Sequence, residues 1–237
     1  MEAVGYTTLT RQSGLMREMQ VVANNIANAA TSGYRAQGVV FSEHVRRAEG
    51  APSLSMARAS ATTLSQVQGP LEQTGGALDF AIEGPGFFLV ETPEGERLTR
   101  AGAFAFSANG DLVTMDGFRV LDAGGAPVFV PPDAGAPGLA ADGTLSAGGR
   151  PLAQMGLFTA TEGGVLERVG GNLLAAPGGV APVAEGRILQ GFREGSNVDP
   201  LSEIARMIEV QRAYELGQSF LDAENERARR ALDTFTR

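Results

Sequence analysis

The sequence contains no cysteine and no tryptophan, and it has a single histidine, His44. Without a thiol there can be no disulfide and no cysteine-based catalysis. A metal site built on histidine would lack a second imidazole, although such sites commonly use more than one. A lone histidine in a polar linker is far more often an ordinary surface residue than a catalytic one. We therefore expect no metal and no cofactor.

Long apolar runs and clusters of basic residues are also missing. The run from Phe87 to Val90 is far shorter than the ~20 residues of a membrane-spanning helix. The first residues include Glu2 and Arg11 and lack the apolar segment of a cleavable export signal. The residues alone thus predict a cytoplasmic protein without membrane insertion. The net charge of −8, with no run of basic residues, excludes nucleic acid as a partner.

Glycine is abundant, with 32 residues, and aromatic residues make up only 6 %, which is typical of short strands and turns. Residues 77–190 contain short strand-like runs separated by Glu94-Gly95, Asn109-Gly110 and Asp116-Gly117. Asn-Gly and Asp-Gly favour tight hairpins because they readily adopt positive φ. We predict one antiparallel β domain here, least clear over residues 135–185. A parallel sheet is excluded, since no helix fits between the strands.

An amphipathic helix is predicted near the N-terminus, from about Gly5 to Ala30. Its apolar residues recur at spacings of four, three and four, and Thr31-Ser32-Gly33 ends it. Three asparagines stand near its end, although asparagine is a poor helix former. Buried asparagine between helices can fix their register at a cost in stability, so we interpret these residues as specifying an assembly. The apolar stripe and the asparagines are Leu15, Met19, Val22 and Ile26, and Asn24, Asn25 and Asn28.

A second helix is predicted from Asp199-Pro200 to the end of the sequence, about 37 residues and so roughly 55 Å long. Asp199 is a suitable N-cap, and proline is favoured at the first helical position. This length exceeds the expected width of the β domain, so the helix must pack along another long element. Its stripe comprises Met207, Val210, Tyr214, Gly217, Leu221, Ala228, Ala231 and Phe235.

The predicted fold class is α+β. Long N- and C-terminal α-helices are expected to pair in a coiled-coil-like manner, with a central antiparallel β domain. The expected segments are an N-terminal assembly helix and signature (1–36), an extended connector (37–76), the β domain (77–190) and a C-terminal assembly helix (191–237).

The sequence offers little catalytic chemistry. Asp111 and Asp116 could be imagined as a carboxylate pair, but the hairpin turns already explain both. Gly84-Pro85-Gly86 is no phosphate loop, because proline lacks the N–H that such a loop needs. The residues from Asp122 to Gly125 do not have the spacing of a calcium loop. We expect no catalytic residue, no small-molecule substrate and no enzymatic activity.

Several motifs together resemble the signatures of bacterial flagellar rod and hook proteins. The N-terminal signature is Ala-Asn-Asn-x-Ala-Asn-x-x-Thr-x-Gly-aromatic. Pro85 stands where an aspartate is expected, a local change of turn. The matching stretches are Ala23–Asn28 and Thr31–Tyr34 near the N-terminus, Glu83–Phe88, Thr99–Phe104, Asn109–Val113 and Gly117–Leu121 in the middle, and Glu194–Asp199 and Met207–Glu215 near the C-terminus.

The resemblance implies a function that composition does not. Such subunits leave the cytoplasm through the flagellum-specific type III export apparatus without a cleaved signal peptide, which replaces the cytoplasmic expectation. They assemble in the periplasm with copies of themselves and with homologous rod subunits, and the rod transmits motor torque for swimming. Their terminal helices pair in the inner tube, and the β domain faces outward. The short chain and Phe41–Val45 are most similar to the proximal-rod branch of the family, and the distal-rod branch is the nearest alternative.

Other classes remain open at this point. The chain could be a hook-type axial subunit, or a secreted β-domain binding module whose helices are only a stalk. A carboxylate hydrolase would need an acid and base pair that the sequence does not offer. Under the rod interpretation, the expected subunit-assembly residues are Leu15, Met19, Val22, Asn24, Asn25, Ile26, Asn28, Gly33, Tyr34, Asn197, Met207, Val210, Gln211, Tyr214, Leu221, Ala228 and Phe235.

Overall fold

The computed structural model of the chain describes residues 2–46 and 54–235. Contacts divide the chain into two compact units. The helical unit comprises Met1–Ala27, Ala36–Ser65 and Val198–Arg237, and the β unit comprises Asn28–Arg35 and Gln66–Asn197. The two units are interleaved along the chain, unlike the four consecutive segments expected from the sequence.

Two helices and one hairpin form the helical unit. Helix α1 ends at Ala27 rather than Ala30, because residues 28–30 form a turn. Asp199 caps the second helix: its carboxylate accepts a hydrogen bond from the Leu201 amide at 3.3 Å and one from the Ser202 hydroxyl at 2.5 Å. The helix predicted from Asp199-Pro200 is thereby confirmed. The elements are α1 (Glu2–Ala27), β1 (Gln37–Arg46), β2 (Leu54–Leu64) and α2 (Pro200–Phe235).

The coiled-coil-like pairing of the two helices expected from the sequence is wrong. Such pairing needs an apolar seam that repeats along both helices. The buried side chains of α1 include the polar Gln12, Glu18 and Asn25. Two polar contacts join the helices: Gln12 Nε2 donates to the Tyr214 carbonyl at 3.0 Å, and Arg206 forms an ion pair with Glu18. The α+β class itself holds, with one helix near each end and β structure between them.

Strands β1 and β2 form a long hairpin within residues 37–76, where the sequence predicts an extended connector. They pair antiparallel, from Gln37 opposite Leu64 to Arg46 opposite Leu54. This stretch is rich in Ser, Thr and Ala, so it lacks the alternation of apolar and polar residues that predicts a half-buried strand. The hairpin packs on α1 within the helical unit.

The β unit contains sixteen short strands in the described residues, and all their ladders are antiparallel. They are β3 (Leu71–Gln73), β4 (Phe80–Glu83), β5 (Phe88–Thr92), β6 (Gly95–Thr99), β7 (Phe104–Phe106), β8 (Leu112–Thr114), β9 (Arg119–Val120), β10 (Pro137–Leu139), β11 (Thr144–Ala147), β12 (Arg150–Gln154), β13 (Phe158–Ala160), β14 (Glu167–Gly170), β15 (Leu173–Ala175), β16 (Val180–Pro182), β17 (Arg187–Gln190) and β18 (Phe192–Glu194).

Seven of these strands form the largest sheet, in the order β14-β15-β6-β5-β9-β8-β7. Strands β10, β11 and β12 form a second sheet, and β13-β16, β17-β4 and β18-β3 are pairs. Strands β3 and β4 thus pair with the last two strands of the unit. The antiparallel β structure predicted for the middle of the chain is confirmed, and it includes residues 135–185, where the sequence pattern was least clear.

The β unit is built around one apolar core. Phe80, Phe88 and Phe104 lie at its centre, with ring centroids 5.8 Å apart for Phe80–Phe104 and 5.3 Å apart for Phe88–Phe104. Leu112 and Val120 on neighbouring strands are fully buried beside them. Burying side chains of this size is worth roughly 1.5–3 kcal/mol each, so the core contributes strongly to the stability of the unit.

The predicted turns close the hairpins, but not with the predicted backbone. Gly95, Gly110 and Gly117 have positive φ, whereas no other type of residue does so in the part of the chain that the structure describes. Asn109 and Asp116 therefore do not form two-residue turns with two positive φ values. The Ser107 hydroxyl instead accepts the amides of Asn109 and Asp111, which gives a wider turn.

Replacing Gly102 by alanine is expected to destabilise the β unit strongly. A Cβ there would lie 1.5 Å from the Phe80 carbonyl oxygen, which itself is part of the rigid core backbone. We expect the unfolding free energy of the β unit to fall by roughly 3 kcal/mol or more. The measurement is the urea midpoint of the amide NMR signals of the unit.

Gly138→Ala is the matched control. Its Cβ would meet only the Ser146 hydroxyl, at 3.8 Å, so the unfolding free energy should change by no more than about 1 kcal/mol. Equal midpoints for the two variants would contradict the packing described around Gly102.

Candidate functional site

The two signature segments lie side by side in the β unit. The Gly33 amide donates to the Glu194 carbonyl at 2.8 Å, and the Asn197 amide donates to the Tyr34 carbonyl at 3.2 Å. The Asn197 side chain also donates to the Val67 carbonyl at 2.7 Å. We call this junction of residues 28–35 and 194–197 the clasp. It joins the first and the last segment of the β unit.

A buried ion cluster lies in the clasp. The Glu194 carboxylate binds Arg35 at 2.8 Å through one oxygen and Arg100 at 2.9 Å through the other. The three side chains are only 1–4 % exposed. The Gly69 amide donates to the same carboxylate at 3.0 Å. One carboxylate therefore bridges two guanidinium groups, each from a different part of the chain.

Backbone carbonyls accept further hydrogen bonds from the two arginines. Arg100 donates to Gly84 O at 2.6 Å, and Arg35 donates to Gln66 O at 3.2 Å. Burial lowers the pKa of both arginines from the ordinary value, and the Glu194 charge opposes this shift. Both arginines stay charged at neutral pH. Removing one partner of such a cluster costs about 3–5 kcal/mol, because it leaves an uncompensated buried charge.

Gly33 allows the close approach of the two segments. Its φ is +70°, and a Cβ at this position would lie 2.4 Å from the backbone of Arg100 and Ala101. No other residue fits here without moving that backbone, since only glycine combines positive φ with the missing side chain. Gly33 thus ends the turn after α1 and also lets the chain reach the ion cluster.

A third arginine, Arg168 of β14, also contacts the clasp, as does Asn172 between β14 and β15. Arg168 lies over the Tyr34 ring, 4.1 Å from its centroid, and donates to the Arg35 carbonyl at 2.6 Å. Burial lowers its pKa, against the opposing influence of Tyr34. Asn172 donates to the Ser32 carbonyl at 2.6 Å. These contacts hold the backbone of residues 32–35. Arg168 and Asn172 belong to no motif of the sequence, so sequence reasoning missed them.

The predicted assembly residues are placed in different environments. Ala228 and Phe235 lie in α2, but their side chains are outside the described residues. Among the others, the buried ones are Val22, Asn25, Gly33, Tyr34 and Val210, the half-buried ones are Leu15, Met19, Ile26, Asn28, Asn197, Met207, Tyr214 and Leu221, and the exposed ones are Asn24 and Gln211.

The asparagines have separate roles within the chain. Asn25 is 1 % exposed; its side chain donates to the Gln37 carbonyl at 2.8 Å and accepts the Gln37 amide at 3.0 Å. It therefore joins α1 to the start of β1. Asn28 accepts the Thr31 hydroxyl at 3.2 Å in the turn of the β unit. Asn24 is the one of the three that is exposed.

An apolar groove lies between α1 and α2 in the helical unit. Its cavity is about 420 Å³, and its walls include Leu15, Ala213, Leu216, Gly217 and Phe220. Leu216 is 70 % exposed and Phe220 is 42 % exposed. Apolar side chains of this size clustered on a surface mark a site of interaction. Sequence reasoning missed both, because they lie outside the 3/4 stripe.

The described residues contain no group of three or more side chains that could hold a metal ion. Within the same residues, no helix has the length and hydropathy needed to cross a membrane. The Asp111 amide donates to the Ser107 hydroxyl in the turn before β8, and Asp116 lies in the turn after β8. Both aspartates thus lie at hairpin turns, as the sequence predicts.

Comparison with known proteins decides the family. Residues 6–35 match the model of flagella basal body rod proteins, residues 81–147 the D1 domain of flagellar hook proteins FlgE/F/G, and residues 189–234 the C-terminal region of flagellar basal body rod FlgEFG proteins. The chain is 40 % identical over 213 residues to the flagellar basal-body rod protein FlgF of Mesorhizobium japonicum, which covers 89 % of this chain and 88 % of that one. The chain belongs to the flagellar basal-body rod protein family.

Two further relatives extend the comparison. FlgF of Caulobacter vibrioides is 37 % identical over 234 residues, 96 % of each chain. The flagellar basal-body rod protein FlgG of Bacillus subtilis is 29 % identical over 249 residues, 93 % of this chain and 94 % of that one. As a member of the rod family, the chain is a structural subunit of the bacterial flagellar basal-body rod.

The ion cluster draws on all three matched regions of the rod family. Arg35 lies in the first region, Arg100 in the second and Glu194 in the third. Arg100 and Glu194 stand in motifs that the sequence analysis singled out, but no periodicity indicates that they meet. The pairing of charges distant in sequence becomes visible only in the fold.

A neighbouring ion pair makes the stability of the β unit depend on pH. Asp79 binds Arg193 at 2.8 Å and accepts the Thr74 hydroxyl at 2.5 Å. Burial alone would raise the pKa of Asp79, but its contacts with Arg193 and Thr74 outweigh this and lower the pKa below the ordinary 3.8. The ionised carboxylate therefore stabilises the fold above that pH, and this contribution is lost as the pH falls through the lowered pKa.

Asp79→Asn should lower the unfolding free energy of the β unit at pH 7 by about 1–2 kcal/mol. The difference from the wild type should shrink as the pH falls below 3.8. Urea unfolding of the β unit, followed by amide NMR signals across that range, measures it. Glu91→Gln is the control, since the Glu91–Arg119 pair is about half exposed and worth at most about 1 kcal/mol. A difference for Asp79→Asn that stays constant with pH would contradict the assignment.

Proposed function

We propose that this chain is an axial subunit of the proximal rod and that its helical unit makes the contacts with neighbouring subunits. The exposed apolar side chains Leu216 and Phe220 on α2 carry the proposal. A soluble monomer gains nothing from large apolar side chains in water, whereas an assembled subunit gains from their burial. The partners are copies of this chain and homologous axial subunits.

The other predicted assembly residues divide between two roles under this proposal. The exposed Asn24 and Gln211 contact neighbours in the rod. Asn25, Gly33, Tyr34 and Asn197 act earlier, because they shape the subunit itself through the contacts described above. Replacing the exposed pair should leave the folded subunit intact. Replacing any of the four residues that shape the subunit should destabilise its fold.

Similarity to FlgF over nearly the whole chain supports the proximal rod. The distal rod is the second candidate, since FlgG of Bacillus subtilis also matches 93 % of this chain. The two candidates differ in where the rod stops when the gene is deleted. Electron microscopy of basal bodies from the deletion strain distinguishes them: a rod that ends near the inner membrane supports the proximal position, and one that lacks only its distal part supports the other.

The remaining parts of the proposal concern transport and activity. We infer that the chain leaves the cytoplasm through the flagellar type III export apparatus without a cleaved signal, and that it acts in the periplasm. Its role there is to transmit torque, so it needs no catalytic residue. Intact mass measured on the subunit from purified basal bodies tests the export route, because signal cleavage would shorten the chain.

The double variant Leu216→Gln, Phe220→Gln should fold normally but fail to enter the rod. Each side chain buried at a subunit contact contributes roughly 1.5–3 kcal/mol, and every copy would lose both. Glutamine favours the helix, so circular dichroism of the purified chain should be unchanged. The measurement is the presence of complete rods in basal bodies, together with swimming.

The matched control is Glu215→Gln with Asp222→Asn, which changes two exposed polar residues of the same helix. Rods should form as in the wild type. Complete rods in the Leu216/Phe220 variant as well would overturn the assembly role of this surface, while the family membership would stand.

A further inference from the structure

The ion cluster of the clasp is assembled from residues far apart in the chain. Arg35 enters with the first segment of the β unit, Arg100 follows β6, and Glu194 ends β18. The Nε atoms of both arginines have no hydrogen-bond partner among the described residues. Because the cluster buries two positive charges, it is favourable only while the carboxylate is in place.

The position of each charge makes the docking of residues 28–35 depend on Glu194. Arg100 already contacts the Ile82 and Gly84 carbonyls within the β unit. If Arg35 docked before Glu194, two guanidinium groups would be buried together without a counter-charge, and like charges in a low dielectric repel. Once Glu194 is present, it binds both.

Hydrogen bonds of backbone amides also connect Glu194 with the segments around it. The Gly33 amide donates to the Glu194 carbonyl, and the Glu194 carboxylate accepts the Gly69 amide. Strand β18 pairs with β3 from Phe192 opposite Gln73 to Glu194 opposite Leu71. Pairing of β18 with β3 therefore delivers both the carboxylate and the carbonyl that residues 28–35 need.

We propose that Glu194 is a latch: the N-terminal signature segment docks on the β unit only after β18 has placed Glu194 between Arg35 and Arg100. Docking of residues 28–35 is thus the last step in the closure of the β unit. A chain whose last third has not yet become available keeps its first signature undocked, even when the core around Phe88 has formed. This latch belongs to the folding of the β unit and is independent of the position of the subunit in the rod.

Pulsed hydrogen exchange during refolding of the full chain tests the order of events. The Leu112 and Val128 amides report on the core, since they donate to Val128 O and Val120 O. The Gly33 and Gly69 amides report on the latch. We expect the core amides to become protected first and the latch amides afterwards, in one common step. Simultaneous protection of all four amides would overturn the proposal.

Native-state exchange of Glu194→Gln tests the role of the charge. Gly33 and Gly69 should exchange at least roughly 100-fold faster than in the wild type, as expected for an uncompensated buried charge, while Leu112 and Val128 change little. Glu91→Gln, which removes the carboxylate of an exposed ion pair in the same unit, should leave all four amides unchanged. Equal acceleration of core and latch amides in Glu194→Gln would make Glu194 an ordinary part of the core and overturn the proposal.

A rescue variant separates charge from shape. Arg100→Met in the Glu194→Gln background removes the repulsion between the two arginines, so the protection of Gly33 relative to Leu112 should recover at least in part. A role limited to strand pairing or to hydrogen bonding would give no recovery. Absence of recovery therefore contradicts the latch.

Discussion

The contact on which the closure of the β unit depends is the buried carboxylate of Glu194 between Arg35 and Arg100. Strand pairing and apolar burial form the core, and the ion cluster holds residues 28–35 against it together with the backbone contacts of Gly33 and Asn197. Gly33 allows the close approach, and Arg168 covers Tyr34.

The helical unit follows a different principle. Its buried side chains include Gln12, Glu18 and Asn25, while Leu216 and Phe220 remain exposed. Val21, Val22 and Val210 are buried as well, so what distinguishes this unit is its buried polar contacts and its exposed large apolar side chains. They are what is expected of a subunit whose helices complete their apolar burial only in an assembly, in keeping with the rod family to which the chain belongs.

The sequence predicted the elements that local patterns specify. The N-cap at Asp199 and the apolar stripe after it located α2, and the glycine turns located the hairpins. It did not predict the hairpin β1–β2, because strands rich in Ser, Thr and Ala carry no alternation. The helix contacts were wrongly expected to be coiled-coil-like, since periodicity shows which residues share a face and not which partner covers it. The ion cluster depends on contacts between distant residues, which no local pattern records.

The most direct test of the account is solvent access to α2 before and after assembly. The chain has no cysteine, so Leu216→Cys and Phe220→Cys each introduce a unique thiol that a maleimide can label. Both thiols should react rapidly in the purified monomer and at least roughly tenfold more slowly in isolated basal bodies, because a neighbouring subunit then covers them. Equally rapid labelling in complete basal bodies would contradict the claim that this surface is a subunit contact.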